Sequence, residues 1–270
     1  MQPQFPLVVE PAQLAEQLGA QNLLIVDLCK PEIYANQHVP GAVHMEYAQL
    51  VAAQPPVMGL LPEDDQLSRV FSALGLTPDM HVVAYDDEGG AKACRLLWTL
   101  DVIGHPHFSL LNGGLRAWIA GRHPVSSVPL RPATSSYQVA ATKQALADRA
   151  YILEHLQDPH IKLLDTRTAG EYRGTDKRAQ RSGHIPGAVN LDWTEVLDMQ
   201  NNGRLKPAEA LQLRLDALGV KADKEVIVYC QTHHRSSHTY IVLKSLGYTH
   251  LKGYPGAWSD WGNSLDVPIE

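Results

Sequence analysis

At 270 residues the chain is about twice the commonest domain length of ~100–150 residues, so two domains are the default expectation. A net charge of -6, from 23 Lys and Arg against 29 Asp and Glu, argues against general affinity for nucleic acid or an anionic membrane. No basic segment leads an apolar core at the N-terminus, and no run of roughly 18 apolar residues occurs, which predicts a cytoplasmic protein that is neither exported nor membrane-spanning.

Taken in chain order, LLIVDL (23–28) is a short apolar run, followed by a helical stretch with Tyr34 and by His38-Val39-Pro40-Gly41. Pro62 opens the periodic segment LPEDDQLSRVFSALGL, where it is expected at the first helical position. HVVAYD (81–86) is the next strand, and the run ACRLLWTLDVIG with Cys94, Leu97 and Trp98 reads as a core helix. NGGLRAW, carrying Gly113 and Trp118, closes the block. The Pro- and Ser-rich stretch HPVSSVPLRPATSSY then lacks periodicity and reads as a linker over 125–138.

The same order of blocks recurs. KLLD ends at Asp165, Tyr172 follows at the spacing Tyr34 keeps from Asp27, and His184-Ile185-Pro186-Gly187 returns after an insertion of eight residues. Pro207 opens KPAEALQLRLDALGV, EVIVYC sets Cys230 where the first copy has Asp86, and PGAWSDW aligns Trp261 with Trp118. Two homologous domains follow, 1–124 and 139–270, each an α/β unit with a parallel sheet flanked by helices on both faces. The His-Pro-Gly motif occurs in both copies and is therefore expected to be structural, a turn held by the histidine.

Three cysteines, Cys29, Cys94 and Cys230, are too few for a disulfide framework, and each is either buried filler or a nucleophile. Cys230 differs by position. It ends a strand, and Gln231-Thr232-His233-His234-Arg235 leads into a helical pattern that Ser236 or Ser237 could cap. A thiol in such an arc faces converging backbone N–H groups, the positive helix end and Arg235, a setting that lowers a thiol pKa to roughly 3.5–7.5. In the first copy the acidic turn around Asp86, Asp87 and Glu88 would repel an anion and reads as a solvated surface turn rather than a carboxylate or metal site.

Paired Asp…Tyr…His-Pro-Gly-Ala-Val blocks, a cysteine after the fourth apolar run of the second copy only, and a closing Gly…Trp block resemble the tandem-domain rhodaneses, the thiosulfate sulfurtransferases. The loop CQTHHRS is similar to that of a bacterial subgroup. The resemblance implies two rhodanese-like domains, the first inactive and the second carrying sulfur as a persulfide on catalytic Cys230, with no cofactor and no metal. It implies thiosulfate or another anionic donor, cyanide or a thiol as acceptor, and protein thiols among the partners. Donor binding would fall to Arg173, Arg235, Gln231, Thr232, His233, His234 and Ser236, with Asp165 and Arg167 organising the loop by pairing. The inserted Arg173, Lys177, Arg178 and Arg181 are read either as an entrance for the anion or as a solvated charged face.

The loop departs from C-R-K-G-V-T and from C-G-S-G-V-T, the patterns of vertebrate rhodaneses and of mercaptopyruvate sulfurtransferases, which leaves 3-mercaptopyruvate as an alternative donor. Four residues between Cys230 and Arg235 are one fewer than a Cys-dependent phosphatase loop needs to surround phosphate. Adjacent histidines suit a single metal ion poorly, so one of His233, His234 and His238 is expected to line the pocket and the others to face solvent. A binding or carrier module without turnover is the remaining alternative if Cys230 is shielded. Trp258 and Trp261 are candidate walls for the pocket, although Trp118 in the first copy points to packing.

Overall fold

The computed structural model describes residues 5–142 and 144–270 and divides into two compact units. The first comprises Met1–Leu50, Pro62–Thr142 and Asp198–Leu205; the second comprises Val51–Leu61, Lys143–Leu197 and Lys206–Glu270. Each half of the sequence thus lends one short segment to the other half's unit. In chain order the strands are β1 (Val8–Val9), β2 (Leu23–Asp27), β3 (Ala42–His44), the hairpin β4 (Ala52–Gln54) and β5 (Val57–Leu60), β6 (His81–Tyr85) and β7 (Phe108–Leu111). They continue as β8 (Ile161–Asp165), β9 (Val189–Asn190), β10 (Leu197–Asp198), β11 (Arg204–Leu205), β12 (Glu225–Tyr229) and β13 (Leu251–Gly253).

The first unit's sheet is parallel in the order β1-β7-β6-β2-β3, and the second's is parallel in the order β13-β12-β8-β9. Alternate residues of the apolar runs serve opposite faces, as the two-residue strand period requires. Ile25 and Val83 point into a cluster with Leu14, Leu115 and Trp118, whereas Leu24, Val26 and Val82 meet Phe71, Leu96 and Leu100 on the other side. In the second unit Leu163, Ile227 and Tyr229 share a core with Ile152, Trp258 and Trp261, and the helix Arg235–Ser245 packs on β12 and β13. Cys94, Leu97 and Trp98 are core residues of the helix Ala91–Val102.

The repeated motifs have one physical basis in both halves. His38 Nδ1 lies 2.6 Å from the Tyr34 carbonyl oxygen with the two rings stacked at 4.0 Å, and His184 Nδ1 lies 2.9 Å from the Tyr172 carbonyl with rings stacked at 3.7 Å. The next residue's N–H then donates to a core tyrosine, Val39 to Tyr85 Oη at 3.0 Å and Ile185 to Tyr229 Oη at 3.2 Å. The motif ties the turn to the middle of the sheet.

Two local expectations change. Neither proline is a first helical residue: the helices begin at Asp64, after N-cap Glu63, and at Ala208, after Pro207 with φ -53° and ψ 141°. A proline ring suits that extended entry as well as it suits a helix start. The stretch 125–138 is not a loose tether, because its backbone needs partners and finds them on the first unit. Ser126 exchanges backbone hydrogen bonds with His38 at 2.8 and 2.9 Å, Ser135 N–H donates to the Ser72 carbonyl at 2.9 Å, and Tyr137 packs edge-on to Phe71. The first unit therefore runs on to Thr142 rather than ending at 124.

Candidate active site

β12 pairs in register with β8 so that Tyr229 stands opposite Asp165, which brings the ends of both strands and their following loops together. This is the carboxyl edge of a parallel sheet, where ligand sites form in such folds. Cys230 leaves the strand there, buried, and its carbonyl accepts from Trp258 N–H at 3.0 Å while the Gln231 carbonyl accepts from Ser259 N–H at 3.0 Å.

The loop closes over the Cys230 sulfur. His233 takes φ +54°, the left-handed region that lets the chain turn back within so short an arc. The helix begins at Arg235 with His234 at the N-cap and no side-chain cap, contrary to the expected Ser236 or Ser237. Ser236 Oγ instead pairs with His233 Nδ1 at 2.7 Å, and Ser237 Oγ donates to the His234 carbonyl at 2.7 Å. Burial pushes the Cys230 thiol up, but the Arg235 charge, the Ser236 hydroxyl and N–H, and the Thr232 N–H outweigh it and hold the pKa below the ordinary thiol value. The uncapped helix start is what leaves those donors for sulfur.

Arg235 is held in turn by Glu171, through hydrogen bonds of 2.6 Å from Nη1 to Oε2 and 2.9 Å from Nη2 to Oε1. Glu171 was not a sequence candidate, although Thr168-x-x-Glu171 carries a capping-box signal. The box is formed: Glu171 N–H donates to Thr168 Oγ1 at 3.2 Å and Thr168 N–H to Glu171 Oε2 at 3.1 Å. Burial would raise the Glu171 pKa, yet the Arg235 hydrogen bonds and charge, with those from Thr168, bring it down to about 2.

Asp165 and Arg167 are paired and buried, the guanidinium also donating to the Gly183 carbonyl at 2.8 Å and lying 4.3 Å from the Trp258 ring centre. Trp258 is thus a wall behind the loop, under Arg167. Gln231 Nε2 donates to the Arg178 carbonyl at 3.2 Å, joining the loop to the inserted segment. Within that segment Arg173, Lys177 and Arg178 are exposed, whereas Arg181 is tied to the Ser264 and Val267 carbonyls. Arg173 stands at the C-cap of the helix Ala169–Tyr172.

The histidines differ from expectation. His233 and His238 are both buried and neither faces solvent; His238 packs edge-on to Trp193 at 5.5 Å, and burial with His234 nearby pushes its pKa down to about 4. No cluster of His, Cys, Asp or Glu able to hold a metal exists among the described residues. Two further parts were invisible in sequence. Ser259 Oγ accepts from Met58 N–H at 2.9 Å, and Gly59 lies on Thr232, so the hairpin β4–β5 borders the loop. Pro55-Pro56 and Gly59 mark a turn but carry no signal for where the turn docks.

The first copy shows what replaces a sulfur. Asp86 is buried, not part of a solvated turn: its Oδ1 accepts from Glu88 and Gly90 N–H at 2.9 and 2.8 Å, and its Oδ2 from Lys92 and Ala93 N–H at 2.8 and 3.0 Å. The converging amides of this loop are satisfied by its own carboxylate.

Two parallel-sheet units, each with a loop of converging amides at the carboxyl edge and one holding a lowered thiol, define a family. The rhodanese-like domain matches residues 10–121 and 148–264, and the chain belongs to the rhodanese family, in two copies. It is 44% identical over 272 residues to a thiosulfate sulfurtransferase of Pseudomonas aeruginosa, covering 98% of this chain and 97% of that protein. It is 42% identical to a thiosulfate sulfurtransferase of Azotobacter vinelandii, with the same coverage. Among solved structures it is similar to SseA of Escherichia coli, described as a 3-mercaptopyruvate sulfotransferase, with a TM-score of 0.82, 26% identity, and coverage of 94% of this chain and 99% of that one.

Proposed function

We propose that the chain is a thiosulfate sulfurtransferase that carries sulfur on Cys230. The observation that carries this reading is a thiol ringed by Thr232 N–H, Ser236 N–H and Oγ, and Arg235, and drawn below its ordinary pKa. The names of the 42–44% identical relatives support thiosulfate as donor. The Cys230 thiolate attacks the outer sulfur of thiosulfate, the S–S bond breaks, and sulfite leaves with its electron pair. A Cys230 persulfide anion remains, and the same donors that stabilise the thiolate fit its charge. Cyanide or a thiolate then takes the outer sulfur, returning the Cys230 thiolate and giving thiocyanate or an acceptor persulfide. Neither step changes the electron count, and neither calls for a metal or organic cofactor.

Arg235, Arg167 and Arg178 each face a carboxylate, so the donor's two negative charges are drawn in chiefly by the exposed Arg173 and Lys177, and by the loop amides of Gln231, Thr232, His233, His234 and Ser236. Asp165 and Arg167 hold the strand end on which the loop stands. Cys230 has no exposed surface, the condition under which a binding module without turnover would gain ground. Sulfur transfer is the stronger reading because a purely structural buried thiol would be pushed up, as Cys29 and Cys94 are.

The test is intact mass after thiosulfate treatment. A gain of one sulfur that cyanide removes and Cys230→Ala abolishes is the expected result; a folded protein that takes no adduct overturns the reading.

A further inference from the structure

The hairpin β4–β5 comes from the first half of the sequence but belongs to the second unit. It is fastened through Ser259. Met58 N–H donates to Ser259 Oγ at 2.9 Å, the Ser259 hydroxyl is shared between the carbonyls of Met58 at 3.1 Å and Gly256 at 2.8 Å, and Ser259 N–H donates to the Gln231 carbonyl. One residue thus ties the hairpin on its side chain and the Cys230 loop on its backbone.

The next hairpin residue, Gly59, touches the loop itself. A Cβ there would collide with the Thr232 carbonyl oxygen and stand 2.8 Å from both its carbonyl carbon and its Cβ, so the obstacle is mainly backbone, which cannot swing aside as a long side chain does. Gly59 also has φ +74°, which favours glycine in any case. Thr232 N–H is one of the donors that lower the Cys230 thiol. We propose that Gly59 is a positioning residue for sulfur chemistry: the absence of its side chain lets β5 rest on Thr232 and keeps the Thr232 N–H aimed at the Cys230 sulfur. The first half of the chain is then a working part of the second unit's site, not only an inactive copy. This rests on Cys230 as the sulfur carrier, and the experiment separates the two claims.

The rate of Cys230 alkylation by iodoacetamide is measured against pH in the full chain, with the site read by peptide mass, for the wild type, Gly59→Ala, Ser259→Ala and Gly203→Ala. Gly203 has φ +72° with nothing within 4 Å of an added Cβ, so it reports backbone strain alone. In Gly59→Ala the midpoint is expected to rise by about one pH unit, so that at pH values below both midpoints the thiolate fraction is roughly tenfold smaller. Turnover with thiosulfate falls at least as much, through kcat more than KM. Ser259→Ala shifts the midpoint the same way by a smaller amount, and Gly203→Ala overlays the wild type. Coincident profiles for Gly59→Ala and the wild type, or equal shifts in Gly59→Ala and Gly203→Ala, overturn the proposal. If Gly59→Ala does not fold, Ser259→Ala decides: a displaced profile supports it and a coincident one overturns it. A wild type whose Cys230 alkylates with a lowered midpoint yet takes no sulfur from thiosulfate would sink the sulfur-transfer reading and leave the placement of Gly59 intact.

Discussion

Glu171 holds the guanidinium of Arg235 from one side while the Cys230 sulfur lies against it on the other. The arginine charge is therefore divided between a carboxylate and a thiol. Because Glu171 has a folded pKa of about 2 against an ordinary 4.5, its pairing stabilises the fold above the ordinary value and is lost as pH falls through the folded one. The contribution is about 3 kcal/mol as an upper figure, disappearing between roughly pH 5 and pH 2. Urea unfolding at several acid pH values should show a flatter pH dependence in Glu171→Gln than in the wild type. Equal slopes in the two proteins would mean that the ion pair contributes nothing to acid sensitivity.

Arg235 has the larger effect on chemistry. Arg235→Gln removes the positive charge beside the thiol and also leaves buried Glu171 with only the exposed Arg178, 3.9 Å away, as counter-ion. The Cys230 midpoint should rise, and alkylation at neutral pH should slow by roughly ten- to a hundredfold. Arg235→Lys keeps the charge but not the fork that reaches both Glu171 oxygens, so it should fall between the two. An Arg235→Gln profile that matches the wild type would show that the loop amides alone set the thiol.

Asp86 makes the counterpart prediction in the first unit. Four backbone N–H groups converge on its two oxygens, and Asp86→Ala removes every acceptor while leaving the donors in a buried turn. The expected loss is about 3 kcal/mol of stability, since hydrogen bonds to a charged group contribute roughly 1.5–3 kcal/mol each and water restores part of the loss. Sulfur transfer in the folded protein should be unchanged. Thermal unfolding and thiosulfate turnover measured on the same sample check both halves, and a variant as stable as the wild type would show that the amides do not need the carboxylate.

The repeat, the parallel sheets and the position of Cys230 were legible because each depends on local order along the chain: apolar runs of strand length, a cysteine at a strand end, a helix start after it. The Tyr-His-Pro-Gly turn was legible as structural because it occurs in both copies. What stayed hidden depends on contacts distant in sequence. Gly59 and Ser259 are 200 residues apart, and nothing in either neighbourhood points to the other. Glu171 was masked by its own local role, since a capping box accounts for it without reference to Arg235. Asp86 was misread as solvated because an isolated acidic turn resembles a surface turn. Only the amide directions, set by the turn at Glu88 and Gly90 and by the first turn of the helix Ala91–Val102, show that the carboxylate is enclosed.

Asp165 and Arg167 supply the last prediction. Both are buried, and although burial pulls the Arg167 pKa down, the Asp165 carboxylate holds it above its ordinary value. Removing one partner strands the other charge, so Arg167→Met and Asp165→Leu should each cost about 3–5 kcal/mol. The double variant should cost clearly less than the sum, because an apolar pair needs no desolvated charge and methionine sulfur can still pack on the Trp258 ring now 4.3 Å from the guanidinium. The first half has already lost the cation. Asp27 sits where Asp165 does, with Cys29 in the arginine's place donating its N–H to Asp27 Oδ1 at 2.7 Å, and burial pushes that carboxyl above its ordinary pKa. A double-mutant cycle by urea unfolding measures the coupling; single costs that add to within about 0.5 kcal/mol would show that the two side chains stabilise the strand end independently.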